Sequence, residues 1–122
     1  IKGKIEIFKE FAPGLKHLDG FSHLYCVYFF DLVKTPVPLQ SKPFLDNDPK
    51  GVFATRTPFR PNPIGISILE IENVEENEIF VKNLDVLDQT PVIDVKPYIT
   101  DFDGIYSHKS GWLKGRIKKM RS

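Results

Sequence analysis

The sequence predicts a mainly β fold: one compact β-barrel of short strands, with one short helix and long proline-rich loops. Three observations carry this. Five or six short apolar runs, alternating or rich in β-branched and aromatic residues, recur along the 122 residues. Helix punctuation occurs in one place only, and no strand–helix–strand rhythm runs through the chain. Neither a GxGxxG turn nor a P-loop is present, so the fold is not of the Rossmann type. Strands this apolar have edges to hide, and closure into a barrel hides them.

Taken in order, residues 2–9 alternate charge with isoleucine, placing Ile5 and Ile7 on one face of a half-buried strand. Pro13 suits a first helical turn and Gly20 a helix end, which predicts a short helix over residues 13–19. Ser22 to Leu32 is a continuous apolar, aromatic run, predicted as a strand buried on both faces. Val33 to Lys50 holds four prolines and no periodicity, hence a long loop. Gly51 to Arg56 reads as a strand leading into a stiff loop with Pro58, Pro61 and Pro63. Ile64 to Glu72 alternates, with Ile64, Ile66 and Ile68 on one side. A polar turn, 73–77, and a return strand, Glu78 to Leu84, complete a hairpin. Val92 to Tyr98 is the last strand, and the rest is turn-like with isolated aromatics.

A net charge of +1 gives no global attraction to nucleic acid, although Lys114, Arg116, Lys118, Lys119 and Arg121 crowd the last nine residues. That run is either an RNA-facing patch or a solvated charged terminus. Cys26, the single cysteine, sits in LYCVYFF and reads as a small buried hydrophobe. This cysteine usage fits a reducing cytosol, and no apolar run is long enough to span a membrane.

Two polar constellations stand out. A stiff loop carrying Arg56, Arg60 and Asn62 holds planar guanidinium donors ready for carboxylate, phosphate or a base, without an ordering cost on binding. The alternative pairs these arginines with Asp85 and Asp94. Asp94, Lys96 and Tyr98 lie two apart, hence on one strand face, either used or tied up as a structural Asp–Lys pair. His17, His23 and His108 lack metal-ligand spacing, and Asp46 and Asp48 read as a solvated acidic loop, so no metal is expected. Ser22, His23 and Asp94 lack a nucleophile elbow, which argues against hydrolysis.

The blocks GVFATRTPFRPNPIG (Gly51 to Gly65), GFSHLYCVYFF (Gly20 to Phe30) and LDVLDQTPVIDVKPY (Leu84 to Tyr98) resemble the signature blocks of the TsaA-like, or TrmO, family. They come in the family's order and span nearly the whole chain. The resemblance implies a cytoplasmic, S-adenosylmethionine-dependent tRNA methyltransferase that modifies N6 of threonylcarbamoyladenosine at position 37. It also implies a single TsaA-like β-barrel domain over residues 1–122, acting as a homodimer with the cofactor near the subunit interface. The family's opening IGxIxSP strand and PRQ-like segment are expected before Ile1. Gln89 stands where the family often has glycine, and Asp31 lacks the family's nearby histidine.

By the same resemblance the cofactor site comprises Arg56, Ile66 and the run Asp85, Val86, Leu87, Asp88, with Asp31 and Leu32 beside it. Arg56 would take the methionine carboxylate, while Ile66, Leu87 and the Asp85 turn hold adenine. The acceptor nitrogen carries a proton, so Asp94 and Tyr98 are the candidate base or relay, with Lys96 opposing negative charge. Arg60, Asn62 and Lys96 are the candidates for the tRNA side. The competing class is a non-catalytic RNA-binding β-barrel.

Overall fold

The computed structural model describes residues 2–43, 47–84 and 89–115. Its main body is one antiparallel sheet of β1 (Lys2–Glu6), β2 (His23–Phe29), β5 (Ile64–Glu75), β6 (Glu78–Lys82) and β7 (Val92–Pro97), in the order β1–β6–β5–β2–β7. Two short strands, β3 (Gln40–Ser41) and β4 (Lys50–Gly51), form a separate ribbon, so the long proline-rich loop carries some pairing of its own. The only α-helix among the described residues is the single turn α1, Thr100–Asp103.

The expected barrel is not closed. β1 pairs with β6 and β7 with β2, and among the described residues nothing joins those two outer strands. The core forms on one face only, which removes the need for closure. Leu24, Cys26 and Tyr28 of β2, Leu69 of β5, Ile79 and Val81 of β6 and Ile5 of β1 are buried there together. Leu18, from a 3-10 turn at Leu18–Gly20, joins them. Burial pushes the Cys26 thiol up to about 11, as befits an inert packed side chain.

β2 is buried on one face, not on both. Its Leu24, Cys26 and Tyr28 face the core, while His23, Tyr25, Val27 and Phe29 alternate onto the outer face and remain partly exposed. A continuous apolar run therefore marks a strand with two apolar faces, only one of which this chain covers.

Register in β5 depends on a missing side chain. Gly65 lies opposite Tyr28, and a Cβ at this position would come within 2.4 Å of the Tyr28 ring. The ring fills the space above Gly65 and its hydroxyl meets Ser67 Oγ at 2.9 Å. Small residues thus face inward under an aromatic, and Ile64, Ile66 and Ile68 face outward, 45%, 61% and 50% exposed.

The β5–β6 hairpin is tighter than the polar run implied: Glu75 pairs with Glu78, leaving only Glu76 and Asn77 to turn. Glu76 takes φ 52°, and Asn77 is buried because it clasps β1. Asn77 O accepts from Ile7 N, and Asn77 Nδ2 donates to Ile7 O, both at 2.8 Å.

Two expected elements are replaced by 3-10 turns. Residues 13–19 form no α-helix; 3-10 turns occupy Lys9–Leu15 and Leu18–Gly20, separated at His17 by φ 72°. Pro13 and Gly14 sit inside the first turn, where a missing N–H and a missing Cβ oppose α-helical continuation. Gly51 to Arg56 is likewise not a strand, since β4 stops at Gly51 and a 3-10 turn covers Val52–Ala54 around the buried Val52. No helix among the described residues is long and apolar enough to cross a membrane.

Candidate active site

The outer face of β5, β2 and β7 gathers the expected chemistry. Register aligns Asp94 with Val27 and Val27 with Ile66; one pair along, Lys96 aligns with Tyr25 and Tyr25 with Ile68. Tyr98 follows by donating its backbone N–H to His23 O at 3.0 Å. Asp94, Lys96, Tyr98 and Ile66 therefore share one open face, with Asp94 and Ile66 about 10 Å apart across two strand spacings.

Asp94 and Lys96 form an ion pair at 2.9 Å, the structural pairing that competes with their use. The Lys96 ammonium, with help from the Val95 N–H, holds the Asp94 carboxyl below the usual carboxylate range. Asp94 is thus an ionised, weakly basic group. Tyr98 is half-buried and edge-on to two rings: Tyr25 at 5.5 Å and 64°, and His23 at 6.5 Å and 69°. Ser22 Oγ lies 2.8 Å from His23 Nδ1. Burial, followed by Asp103 and Tyr98, raises the Tyr25 phenol above its ordinary value. The Ser22, His23, Asp94 triad is not assembled, since Asp94 lies four strand positions from His23, about 13 Å away.

The stiff loop, Thr55 to Pro63, has no helix or strand and leads directly into the start of β5. It is bonded to itself. Thr55 Oγ1 donates to Val52 O at 2.9 Å, and Thr57 and Phe59 N–H groups bond the preceding threonine hydroxyls. Arg60 Nη1 donates to Thr55 O at 3.0 Å and Thr57 O at 3.1 Å. Arg60, expected on the tRNA side, thus has one guanidinium nitrogen bonded within its own loop. Arg56 is exposed and makes no hydrogen bond or ion pair with another described residue. Neither arginine pairs with Asp94.

Asp31, Leu32 and Asn62 are exposed at the same end of the sheet. There Phe30 N donates to Pro63 O at 2.7 Å and Phe29 N to Pro91 O at 2.9 Å, so the end of β2 meets the starts of β5 and β7. Asp85, Val86, Leu87 and Asp88 lie outside the described residues; the chain is described again from Gln89, two residues before Pro91.

Two residues escaped the sequence reading. Tyr25 is one, since an aromatic in an apolar run reads as core until its partners are known. Trp112 is the other: in a 3-10 turn at Gly111–Leu113, its Nε1 donates to Ala54 O at 2.8 Å, just before the loop. Cavities of about 260 Å³, near Leu15, His17 and Glu76, and 360 Å³, near Ile7, Phe8 and Asn77, lie away from this face. Among the described residues, no three His, Cys, Asp or Glu converge on a metal position.

Residues 1–104 match the model of the tRNA-methyltransferase O N-terminal domain. A probable S-adenosyl-L-methionine-binding protein of Pyrococcus abyssi is 40% identical over 120 residues, covering 98% of this chain and 65% of its own. The tRNA (adenine(37)-N6)-methyltransferase of Mus musculus is 36% identical over 106 residues, covering 84% of this chain and 24% of its own. The crystal structure of TrmO from Pseudomonas aeruginosa superimposes with a TM-score of 0.72 at 30% identity, over 91% of this chain and 48% of that one. The chain thus spans less than two thirds of the length of these relatives.

Proposed function

The chain belongs to the family of tRNA-methyltransferase O N-terminal domains, and on that premise we propose that it transfers a methyl group from S-adenosylmethionine to N6 of threonylcarbamoyladenosine at position 37 of tRNA. The observation that carries the reading is the outer sheet face, where Asp94, Lys96, Tyr98 and Ile66 lie together, on a sheet whose β5 is entered from an internally bonded loop. The names of the relatives supply the chemistry: S-adenosyl-L-methionine binding for one and adenine-37 N6 methylation of tRNA for another.

The side chains fit such a cofactor. Arg56 offers an exposed guanidinium fork for its carboxylate, Ile66 an apolar surface for adenine, and Asp94 a negative charge kept ionised by Lys96. Asp31, Leu32 and the run Asp85 to Asp88 complete the proposed binding set. Bound there, S-adenosylmethionine supplies an electrophilic methyl group on a sulfonium. The N6–H proton of the acceptor must leave as the new N–CH3 bond forms. Tyr98 and Asp94 are the proposed relay for it, and Lys96 opposes negative charge developing on the carbamoyl group. The internally bonded loop contributes alignment, the larger part of catalysis when the protein need not form a covalent intermediate. Arg60 and Asn62 complete the proposed tRNA side.

A second copy is the proposed cover for the outer face. Ile64, Ile66 and Ile68 present apolar surface that one chain leaves in water, so a homodimer would place the cofactor beside the subunit interface. Light scattering after size exclusion tests this: Ile68→Glu yields monomers if this face is the interface.

The deciding experiment is mass spectrometry of nucleosides from tRNA incubated with protein and cofactor. A mass gain of one methyl on threonylcarbamoyladenosine supports the reading. Retained RNA without methylation, and no thermal stabilisation by the cofactor, would leave an RNA-binding module. Near-normal turnover in both Asp94→Asn and Tyr98→Phe would remove these two from the relay.

A further inference from the structure

His23, Tyr25 and Tyr98 gather their rings on the outer face, yet the proposed chemistry uses only the phenol of Tyr98. The Tyr98 ring lies 5.5 Å from that of Tyr25 at 64° and 6.5 Å from that of His23 at 69°. Its backbone N–H bonds His23 O at 3.0 Å, and Ser22 Oγ, 2.8 Å from His23 Nδ1, orients the imidazole. All three residues are half-buried, so each keeps surface open to water. The core lies on the other face and is built without them. An isolated surface tyrosine is ordinary. Several rings in mutual contact on an uncovered antiparallel sheet are the means by which such sheets stack unpaired nucleic-acid bases. Two rings tilted steeply against a third make a corner, which offers a flat heterocycle one ring face and one ring edge.

Register sets this corner beside the charged pair. Tyr25 stands between Ile68 and Lys96, and Val27, about 7 Å along β2, stands between Ile66 and Asp94. The rings therefore hold the β2–β7 side of the face and leave the isoleucine stripe of β5 to its proposed partner. The Lys96 side chain is 68% exposed; its ammonium has three donors, of which one meets Asp94. We propose that Tyr25, His23 and Tyr98 form the stacking site for the acceptor purine, splayed from its RNA loop, with Lys96 facing the anionic substituent that the base carries. This deepens the proposed function and rests on that reading for the identity of the base. Adenine occurs in the cofactor too, where the proposed function puts it on Ile66, so the test has an arm for each source.

Fluorescence anisotropy measures the binding of two anticodon stem–loops, one carrying threonylcarbamoyladenosine and one abasic at the same position. Four proteins are compared: the full chain, Tyr25→Leu, Tyr25→Phe and His23→Leu. Thermal shift with S-adenosylmethionine accompanies each. Stacking on an aromatic side chain is worth about 5- to 150-fold in affinity, so the full chain should prefer the intact loop by a factor in that range. Because each protein is read on two RNAs, a loss caused by misfolding falls equally on both and cancels from the ratio.

Tyr25→Leu should lose most of that preference, with unchanged affinity for the abasic loop and unchanged stabilisation by the cofactor. Tyr25→Phe keeps the ring and should keep the preference. His23→Leu should lose part of it, and decides the matter if Tyr25→Leu does not fold. Equal losses on both loops, or no loss on either, overturn the inference and leave the proposed reaction standing if the full chain methylates tRNA. Tyr25→Leu that keeps its loop preference but loses cofactor stabilisation gives the rings to the cofactor's adenine and overturns the inference as well. A full chain that prefers the intact loop through Tyr25 yet never methylates it supports the stacking site while refuting the proposed reaction.

Discussion

Gly65→Ala tests whether Tyr28 determines the shape of the sheet at the mouth of the site. A Cβ at this position would lie 2.4 Å and 2.8 Å from two ring atoms of Tyr28 and 2.9 Å from Phe30 Cε2. Normal carbon contacts lie near 3.5–4.0 Å, so the ring must retreat by about 1 Å. Tyr28 is buried, packs edge-on against Phe30 at 5.3 Å, and is held by its bond to Ser67. Overpacking of this kind costs about 1–3 kcal/mol, and loss of the Tyr28–Ser67 bond about 1 more. Replacing glycine in a strand returns about 0.5–1 kcal/mol of backbone entropy. The net expectation is a loss of about 1–3.5 kcal/mol, read as a lower urea midpoint at unchanged m. In a Tyr28→Leu background the same substitution should cost markedly less, because the obstructing ring edge is gone. A Gly65→Ala midpoint within about 0.5 kcal/mol of the parent, or an equal cost in both backgrounds, would refute the packing argument.

Three further expectations concern the site and its supports. Arg60→Lys keeps the charge but removes the Nη1 that donates to both Thr55 O and Thr57 O; urea unfolding should show a loss of about 1–2 kcal/mol, and cofactor-induced thermal stabilisation should fall. If only tRNA KM changes, Arg60 acts on the proposed tRNA side and its loop bonds add nothing to stability. Asp94, held below its ordinary value by Lys96, stays ionised at every working pH; the stability its ion pair gives is present above the ordinary carboxylate range and is lost only as pH falls through the lowered value. Exposed on the sheet face, that pair contributes at most about 1 kcal/mol, and the kcat profile should show no acidic limb from Asp94 between about pH 5 and 8. Cys26, pushed up to about 11 by burial, should resist Ellman's reagent at pH 8 in native protein and react fully in denaturant.

Short apolar runs were the most readable signal: alternation located β1 and β5, and a continuous run, a hairpin return and a last β-rich stretch located β2, β6 and β7, each to within a few residues. Alternation also grouped Asp94 with Lys96 and Tyr98, and Ile64 with Ile66 and Ile68. What alternation cannot convey is which face is inside. That depended on Tyr28 lying over Gly65, a contact between residues 37 apart in sequence. The helix at residues 13–19 and the strand at Gly51 to Arg56 misled for another reason. Both are short segments whose punctuation suits a 3-10 turn as well as a longer element, and tertiary contacts decide between them. Arg60 shows the limit for sites: an arginine between prolines reads as an open hand, yet its Nη1 bonds carbonyls three and five residues earlier.

An open sheet carries a hazard that a barrel escapes, because each outer strand offers a row of free amide and carbonyl groups to any passing chain. Here the two margins are guarded differently. β1 spaces Lys2, Lys4 and Glu6 along its length, with Lys4 tied to Glu78 and raised above its ordinary value by that carboxylate. β7 is bounded by Pro91 and Pro97, and bears Asp94 and Lys96 between them. Proline has no amide to lend and a fixed charge resists dehydration, so neither margin templates further strands. The pair at the heart of the proposed chemistry thus has a second duty as a guard against fibre growth. Neutralising it should cost solubility at high concentration even where turnover survives.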